Sequence, residues 1–313
     1  MYRDGIDFIM MSYAIPEFAT QAVKSIDLFF KDVPKTTHIV CNYLDKDKEI
    51  SVLKEMCPQE HVKIHEGVDQ NLGQIRQNGS IFCKSDGTKG LIDNNSKALA
   101  SYYGCWGANI GIGKGNRKYV CIIDQDTIFL NKCADELIEL LEKYCFVGNR
   151  WDPGTLFREC TDDTSSEKGM ARGILTAAKR EFLDEMDSRN YVERGIWRTS
   201  PISVDYRDDY GNLTWYAQRK NKEFMVLPNT YWTDEQIQTQ RITRDEVSKW
   251  HVSPETHVLP IQELDNEQCF INNKPIFFHL GRGGLKHGNG RLERWVDMTN
   301  EYFDKKEKEI LSE

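Results

Sequence analysis

Asp124 and Asp126 end an apolar run, Tyr119-Val120-Cys121-Ile122-Ile123, and carry the strongest chemical signal in the chain. Such a run reads as a strand buried on both faces that stops abruptly in charge. In open α/β sheets ligands sit beyond the carboxyl ends of the strands, so acids placed there face a site. If the chain is still extended, side chains two residues apart point the same way, and these two carboxylates repel unless a cation lies between them. Carboxylate oxygens suit Mg²⁺ or Mn²⁺, and such a cation, bridging them to a diphosphate, offsets charge that builds on a departing phosphate.

Strands must alternate with helices to position this pair. Ile6 to Tyr13 reads as a first strand, and Pro16 precedes a helix with Ala19, Ala22, Val23, Ile26 and Phe30 on one face. Thr37 to Tyr43 repeats the strand pattern. Asp45-Lys46-Asp47 then turns into a helix with Ile50, Leu53 and Met56 or Cys57 inward, stopped by Pro58. His61 to Glu66 is a third, shorter strand, and this alternation predicts a mainly parallel sheet. Gly67 to Asn95 reads as a long surface loop. Ser96 caps a helix carrying Leu99, Tyr102, Trp106 and Ile110, its end marked by Gly111, Gly113 and Gly115. Behind the acids, Asp135 to Cys145 is amphipathic, with Leu137, Ile138, Leu141 and Cys145 on one face.

Beyond Phe146 the pattern loosens into a turn at Trp151-Asp152-Pro153-Gly154 and a polar run from Thr161 to Gly169, where mobility is expected. A helix is predicted through Ile174, Leu175, Ala178 and Phe182, then an acidic stretch from Asp205 to Asp209. Leu213 to Lys220 reads as helical and Phe224 to Leu227, before Pro228, as a buried strand. The last strand expected is Pro275 to Leu280, containing His279. A tail helix from Leu292 to Ile310 turns Trp295 and Phe303 inward.

The totals narrow the function further. A chain of 313 residues with a formal charge of -8 and no long Lys/Arg block argues against nucleic acid or an anionic membrane as the main partner. Nine cysteines without a CxxC pair, several inside apolar segments, read as small core residues in a reducing compartment. Acids in MYRDGIDFIMMSY stand where a signal peptide would be positive, and no apolar run approaches the ~20 residues of a membrane span. The expectation is a soluble, cytoplasmic protein, its oligomeric state open.

The run Gly107-Ala108-Asn109-Ile110-Gly111-Ile112, Lys114-Gly115, Tyr119-Val120 and Asp124-Gln125-Asp126 resembles the donor-binding half of GT-A glycosyltransferases, most of all glycosyltransferase family 2. Asn71-Leu72-Gly73 resembles that family's motif after the third strand. The resemblance implies a single α/β GT-A domain, Rossmann-like, with a mainly parallel central sheet flanked by helices and a more irregular acceptor-side half. Residues 1–131 would bind the nucleotide sugar, 132–290 the acceptor, and 291–313 form the closing helix. A nucleotide-diphosphate sugar would be held by Mn²⁺ or Mg²⁺ on Asp124 and Asp126, with Tyr13, Asn42, Asp45 and Asn109 around the nucleotide. Asn42 stands where the family carries an Asp.

Asp208-Asp209, a polar-aromatic helix and Glu223-Phe224-Met225-Val226-Leu227-Pro228 resemble the family's acceptor-side motifs. There one acid deprotonates the acceptor hydroxyl, a poor nucleophile until its proton leaves, for an inverting displacement. Asp209 is preferred for this role, Asp208 is its neighbour and Asp205 a reserve; an acidic loop with a helix N-cap is the plain alternative. His279 looks like the C-terminal histidine of several GT-A enzymes that completes the metal shell, a neutral imidazole suiting Mn²⁺. A satisfied core histidine is its alternative. Arg282 and Lys286, on the glycine-rich stretch that follows, would stabilise the leaving diphosphate. Trp151, Trp197, Trp215 and Trp232 suit an acceptor site that packs on sugar C–H faces, with core packing as the other reading.

Ile122 to Ile128 also fits, loosely, the motif of haloacid-dehalogenase-type phosphohydrolases, in which the first Asp attacks phosphorus. That motif normally lies on the first strand, whereas three strands are expected before this one. A lectin-like module would explain the aromatics and leave the acids unexplained. The expected activity is therefore metal-dependent transfer of a hexosyl or pentosyl group to a hydroxyl of a glycan or glycoconjugate, with inversion; retention stays open.

Overall fold

A computed structural model describes residues 2–69, 80–83, 89–92, 107–151, 170–185, 213–214, 216–217, 220–230, 251–252, 259, 266–280 and 291–312. The first half contains β1 (Arg3–Tyr13), α1 (Pro16–Phe29), β2 (Lys35–Tyr43), α2 (Lys46–Met56), β3 (Val62–Asp69), β4 (Ser80–Cys83) and β5 (Lys89–Ile92). Helix α3 (107–114) leads into β6 (Arg117–Asp124), β7 (Thr127–Phe129), α4 (Ala134–Lys143) and β8 (Phe146–Trp151). Next come β9 (Met170–Lys179), α5 (Arg180–Glu185), β10 (Met225–Leu227), β11 (Asn229–Thr230) and β12 (His251–Val252). A hairpin of β13 (Asn266–Ile271) and β14 (Lys274–Leu280) precedes α6 (Arg291–Ser312).

Among the described residues seven strands form one sheet in the order β10-β8-β9-β6-β1-β2-β3. Only β9 runs against the other six, so the central sheet is mostly parallel, as the alternating pattern predicts. A second sheet, β12-β11-β13-β14-β7, packs beside it. The continuous apolar runs arise because both faces of the large sheet are covered. Ile6, Phe8 and Met10 of β1 enter one core with α1, α6 and the second sheet, while Ile9 enters another on the opposite face with Ala108 and Ile112 of α3. Rings bind the larger core together: Phe8 lies edge-on to Phe30 and Phe129, and Phe278 stacks on Trp295 of α6. Trp295 and Phe303 face inward, as expected.

Helix α3 approaches the sheet closely. A Cβ at Gly107 would meet Met11 Cγ at 2.7 Å, one at Gly111 would meet Ile9 Cγ2 at 2.4 Å, and one at Gly115 would meet Asp7 Oδ2 at 2.2 Å. The helix thus runs opposite to β1, one glycine over every second strand residue. Four helical residues rise about 6 Å and two strand residues about 6.6 Å, so the two repeats stay in step. Gly111 and Gly113 lie within the helix rather than at its end; Gly115 N–H closes the last turn onto Gly111 O at 3.2 Å.

Three local expectations are corrected. The segment read as a helix through Ile174 and Ala178 is strand β9, and helix begins only at Arg180. It sits between β8 and β6 with Leu175, Thr176, Ala177 and Ala178 all buried, so no alternation marks it, and its Ala and Leu are good helix formers overridden by sheet packing. The stretch read as a loop from Gly67 holds the end of β3 and the antiparallel pair β4–β5. The loosened region after the fourth helix begins with an unpredicted strand, β8, and Cys145 joins the second core instead of the α4 face. Residues 213–214 and 216–217 are helical, as expected, whereas Lys220 lies in a turn. The turn at 152–154 and the run 161–169 lie outside the described residues.

Candidate active site at the carboxyl edge of the sheet

Parallel strands in register bring their carboxyl ends to one edge. Met11 of β1 pairs with Asp124 of β6, and Tyr13 of β1 pairs with Asn42 of β2. Tyr13, Asn42 and Asp124, distant in sequence, therefore line the edge where ligands of such sheets bind.

At Asp124 the chain leaves the large sheet, turns through Gln125 and Asp126, and enters the second sheet as β7. The acids do not share a face by strand alternation, because the backbone is no longer extended at Asp126; the turn brings them together. Thr127 Oγ1 donates to Asp124 O, and Leu280 N–H donates to Asp126 O at 2.9 Å. Antiparallel pairing of β14 with β7 sets His279 opposite Thr127, and its Nε2 lies 3.4 Å from Asp126 Oδ1. Asp126 and His279 are buried and Asp124 is half-buried.

One ligand atom from each of Asp124, Asp126 and His279 lies within 4.8 Å of the others. Ligands on opposite sides of an ion with bonds near 2.1 Å are about 4.2 Å apart, so small side-chain movements of a few tenths of an ångström would enclose a cation. Two carboxylates and an imidazole form a donor set that Mn²⁺ accepts readily and Mg²⁺ accepts through its oxygens. The residues fit a divalent cation.

The other expected nucleotide contacts occupy distinct places. Asn42 is buried, its side chain wedged where a Cβ on Gly67 would meet its Oδ1 at 2.5 Å and one on Gly107 would meet its Nδ2 at 3.5 Å. Asn109 is half-buried on α3. Asp45 is the N-cap of α2: its carboxylate accepts from Lys48 N–H at 3.3 Å, and Glu49 Oε1 accepts from Asp45 N–H at 3.0 Å. Tyr13 is 37% exposed at the rim. Asp205, Asp208, Asp209, Arg282 and Lys286 lie outside the described residues, as do Trp197, Trp215 and Trp232; Trp151 ends β8.

A buried polar network behind the site was not foreseen. Asp7 is 1% exposed and accepts from Arg180 Nη2 at 2.6 Å, Arg117 N–H at 2.8 Å and His38 Nε2 at 3.3 Å. Arg180 also donates to Ile112 O at 2.8 Å, a carbonyl at the end of α3, and to Arg117 O at 2.7 Å. A guanidinium thus holds the end of α3 to β1 and β6, a favourable place for a cation beside a helix C-terminus. Burial alone would raise the Asp7 carboxyl, but the hydrogen bonds from His38 and Arg117 and the charges of His38 and Arg180 hold it below its usual range. His38 Nδ1 in turn shares a proton with His65 Nε2 at 2.9 Å. The signal for α3 was the four-residue spacing of Gly107, Gly111 and Gly115; nothing local announced Arg180.

No protein-family model matches the chain, and no curated protein matches it by sequence. Solved structures match at low identity. The galactosyltransferase LgtC, solved with donor and acceptor sugar analogues, aligns over 94% of this chain and 95% of its own at 10% identity and a TM-score of 0.47. The glycosyltransferase GlyE of Streptococcus pneumoniae TIGR4 aligns over 99% of this chain and 64% of its own, at 8% identity and a TM-score of 0.49. The mannosyltransferase PcManGT of Pyrobaculum calidifontis, solved with GDP-Man and Mn²⁺, aligns over 73% of this chain at 14% identity and a TM-score of 0.42. The match spans 56% of that enzyme's length. No helix among the described residues is long and apolar enough to cross a membrane.

Proposed function

We propose that the chain is a metal-dependent GT-A glycosyltransferase that moves a sugar from a nucleotide-diphosphate donor to a hydroxyl of a glycan or glycoconjugate. The observation that carries this reading is the convergence of Asp124, Asp126 and His279 at the carboxyl edge of a mostly parallel sheet. These three side chains would hold Mn²⁺ or Mg²⁺, which when bound offsets the charge gathering on the departing nucleoside diphosphate. Tyr13, Asn42, Asp45 and Asn109 would surround the nucleotide, and Arg282 with Lys286 would add positive charge at the diphosphate.

On the acceptor side Asp209, or its neighbour Asp208, would take the proton of the attacking hydroxyl as the glycosidic bond forms with inversion. Residues 1–131 then serve the donor, 132–290 the acceptor, and 291–313 brace the first half from behind, where Trp295 packs on Phe18 of α1. Free thiols at Cys41, Cys57, Cys121, Cys133, Cys145 and Cys269 support a reducing, cytoplasmic setting.

The phosphohydrolase alternative loses ground, because in that family the attacking Asp follows the first strand, whereas Asp124 closes β6 after β1, β2 and β3 have formed the sheet beside it. Thermal-shift screening of nucleotide sugars with and without Mn²⁺ tests the proposal, since a donor stabilises the folded state it binds. One donor should raise the midpoint only with metal present. An NMR readout of the product's anomeric configuration decides inversion against retention. An aspartyl-phosphate trapped on Asp124, or no response to any donor with metal, would sink the reading.

A further inference from the structure

The two acids flank Gln125, whose carboxamide faces away from solvent at 8% exposure. Tyr13 N–H donates to Gln125 Oε1 at 2.8 Å, and Gln125 Nε2 donates to Tyr13 O at 3.0 Å. A carboxamide carries the same donor and acceptor as a peptide group. Backbone pairing between β1 and β6 ends at Met11 opposite Asp124, so Gln125 supplies one further rung, opposite the second residue on. Loss of the side chain leaves Tyr13 N–H without its acceptor, whereas Tyr13 O keeps the Ile15 N–H at 2.7 Å.

We propose that Gln125 is a positioning residue for the metal centre, the side chain that ties the Asp124–Asp126 turn to the Tyr13 edge of the sheet. The inference rests on the glycosyltransferase reading only in taking Asp124, Asp126 and His279 as metal ligands. The Thr127 hydroxyl on Asp124 O and the Leu280 amide on Asp126 O also support the turn, and both act on carbonyls within it. Gln125 anchors it by a side chain to β1. Because Asp124 leaves a sheet strand and Asp126 enters another sheet, rotation of the turn about its ends would separate the two carboxylates while leaving both strands intact. Ligand-orienting groups of this kind change metal affinity by about 10–100-fold when removed.

The test is Mn²⁺ titration of the full chain, without nucleotide, followed by the electron paramagnetic resonance of free Mn²⁺. Gln125→Met keeps the side chain's length and loses the amide; Gln125→Asn keeps the amide but cannot span to Tyr13. Both should bind Mn²⁺ about 10-fold more weakly than wild type, with melting temperatures taken without metal moving by only a few degrees. Should the Met variant fail to fold, the Asn variant decides. Wild-type affinity in a folded variant overturns the positioning role while leaving the metal site standing. Absence of Mn²⁺ binding by wild type overturns the metal site and the inference together.

Discussion

His279 Nε2 stands 3.4 Å from Asp126 Oδ1, and the contact joins the two halves of the chain through one antiparallel strand pair, β14 on β7. The pairing fixes the imidazole by register: a slip of one residue would turn His279 to the opposite face of its strand. The proposed metal site is therefore a joint between two sheets, with one acid ending the first and the other opening into the second.

Replacing Asp126 by Asn, or His279 by Gln, should abolish the rise in melting temperature that Mn²⁺ produces in wild type. Affinity should fall by more than about 100-fold for Asp126→Asn, since a ligand counts for more than the groups that orient it. Without metal, Asp126→Asn should melt at or above the wild-type temperature, because it relieves repulsion between two neighbouring carboxylates. A Mn²⁺-dependent shift of wild-type size in either variant would remove that residue from the site.

The glycines of α3 supply a prediction with its own control. Gly111→Ala pushes a methyl into Ile9, a stiff and fully buried side chain, and should destabilise by about 1–3 kcal/mol. Gly113→Ala meets no atom within 4 Å and should stabilise by about 0.4–1 kcal/mol through helix propensity. Urea midpoints measure both, and equal effects would contradict the close approach of α3 to β1.

Stability should depend on pH through His65. Burial, followed by the charges of His38 and Lys114, pushes this imidazole down to about 4 from an ordinary 6.5. The unfolded chain then binds the proton first, so stability present above pH 6.5 declines as pH falls towards 4. Below that, protonation of Asp7, whose folded-state value is depressed, removes the anion that Arg180 and His38 share. Allowing for solvent around a half-buried ring, the His65 contribution is about 1–2 kcal/mol. Denaturant midpoints at pH 7.5 and 4.5 should show this fall, and His65→Gln should flatten it; an unchanged slope in that variant would exclude His65 as its source.

The turn between β13 and β14 holds Asn272 at φ 51° and Asn273 at φ 63°, the two left-handed residues of a tight hairpin. Asn273→Gly should keep or improve stability, whereas Asn273→Ala should cost about 1 kcal/mol. Since this hairpin carries His279, the Ala variant should also weaken Mn²⁺ binding, which titration will show; full affinity would mean that β7 pairing alone seats the histidine.

Several parts of this molecule were legible in its residues. The apolar run ending at Asp124 could only be a strand with both faces covered, because no polar residue interrupts it. The Asp45-Lys46-Asp47 turn announced the helix after it, and Trp295 and Phe303 announced the inward face of α6. Neither the hairpin turn at Asn272-Asn273 nor the strand before it was read, although paired Asn residues are a turn signal.

Other parts were settled by partners far away in the chain. Residues 170–179 carry helix-forming Ala and Leu, and they are a strand because β6 and β8 offer backbone hydrogen bonds on both sides, a fact no local window contains. Asp126 meets His279, and Gln125 meets Tyr13, because sheet register places them together. Residue type set which side chains could bind a cation; the pairing of β14 with β7 and of β1 with β6 decided which of them stand together.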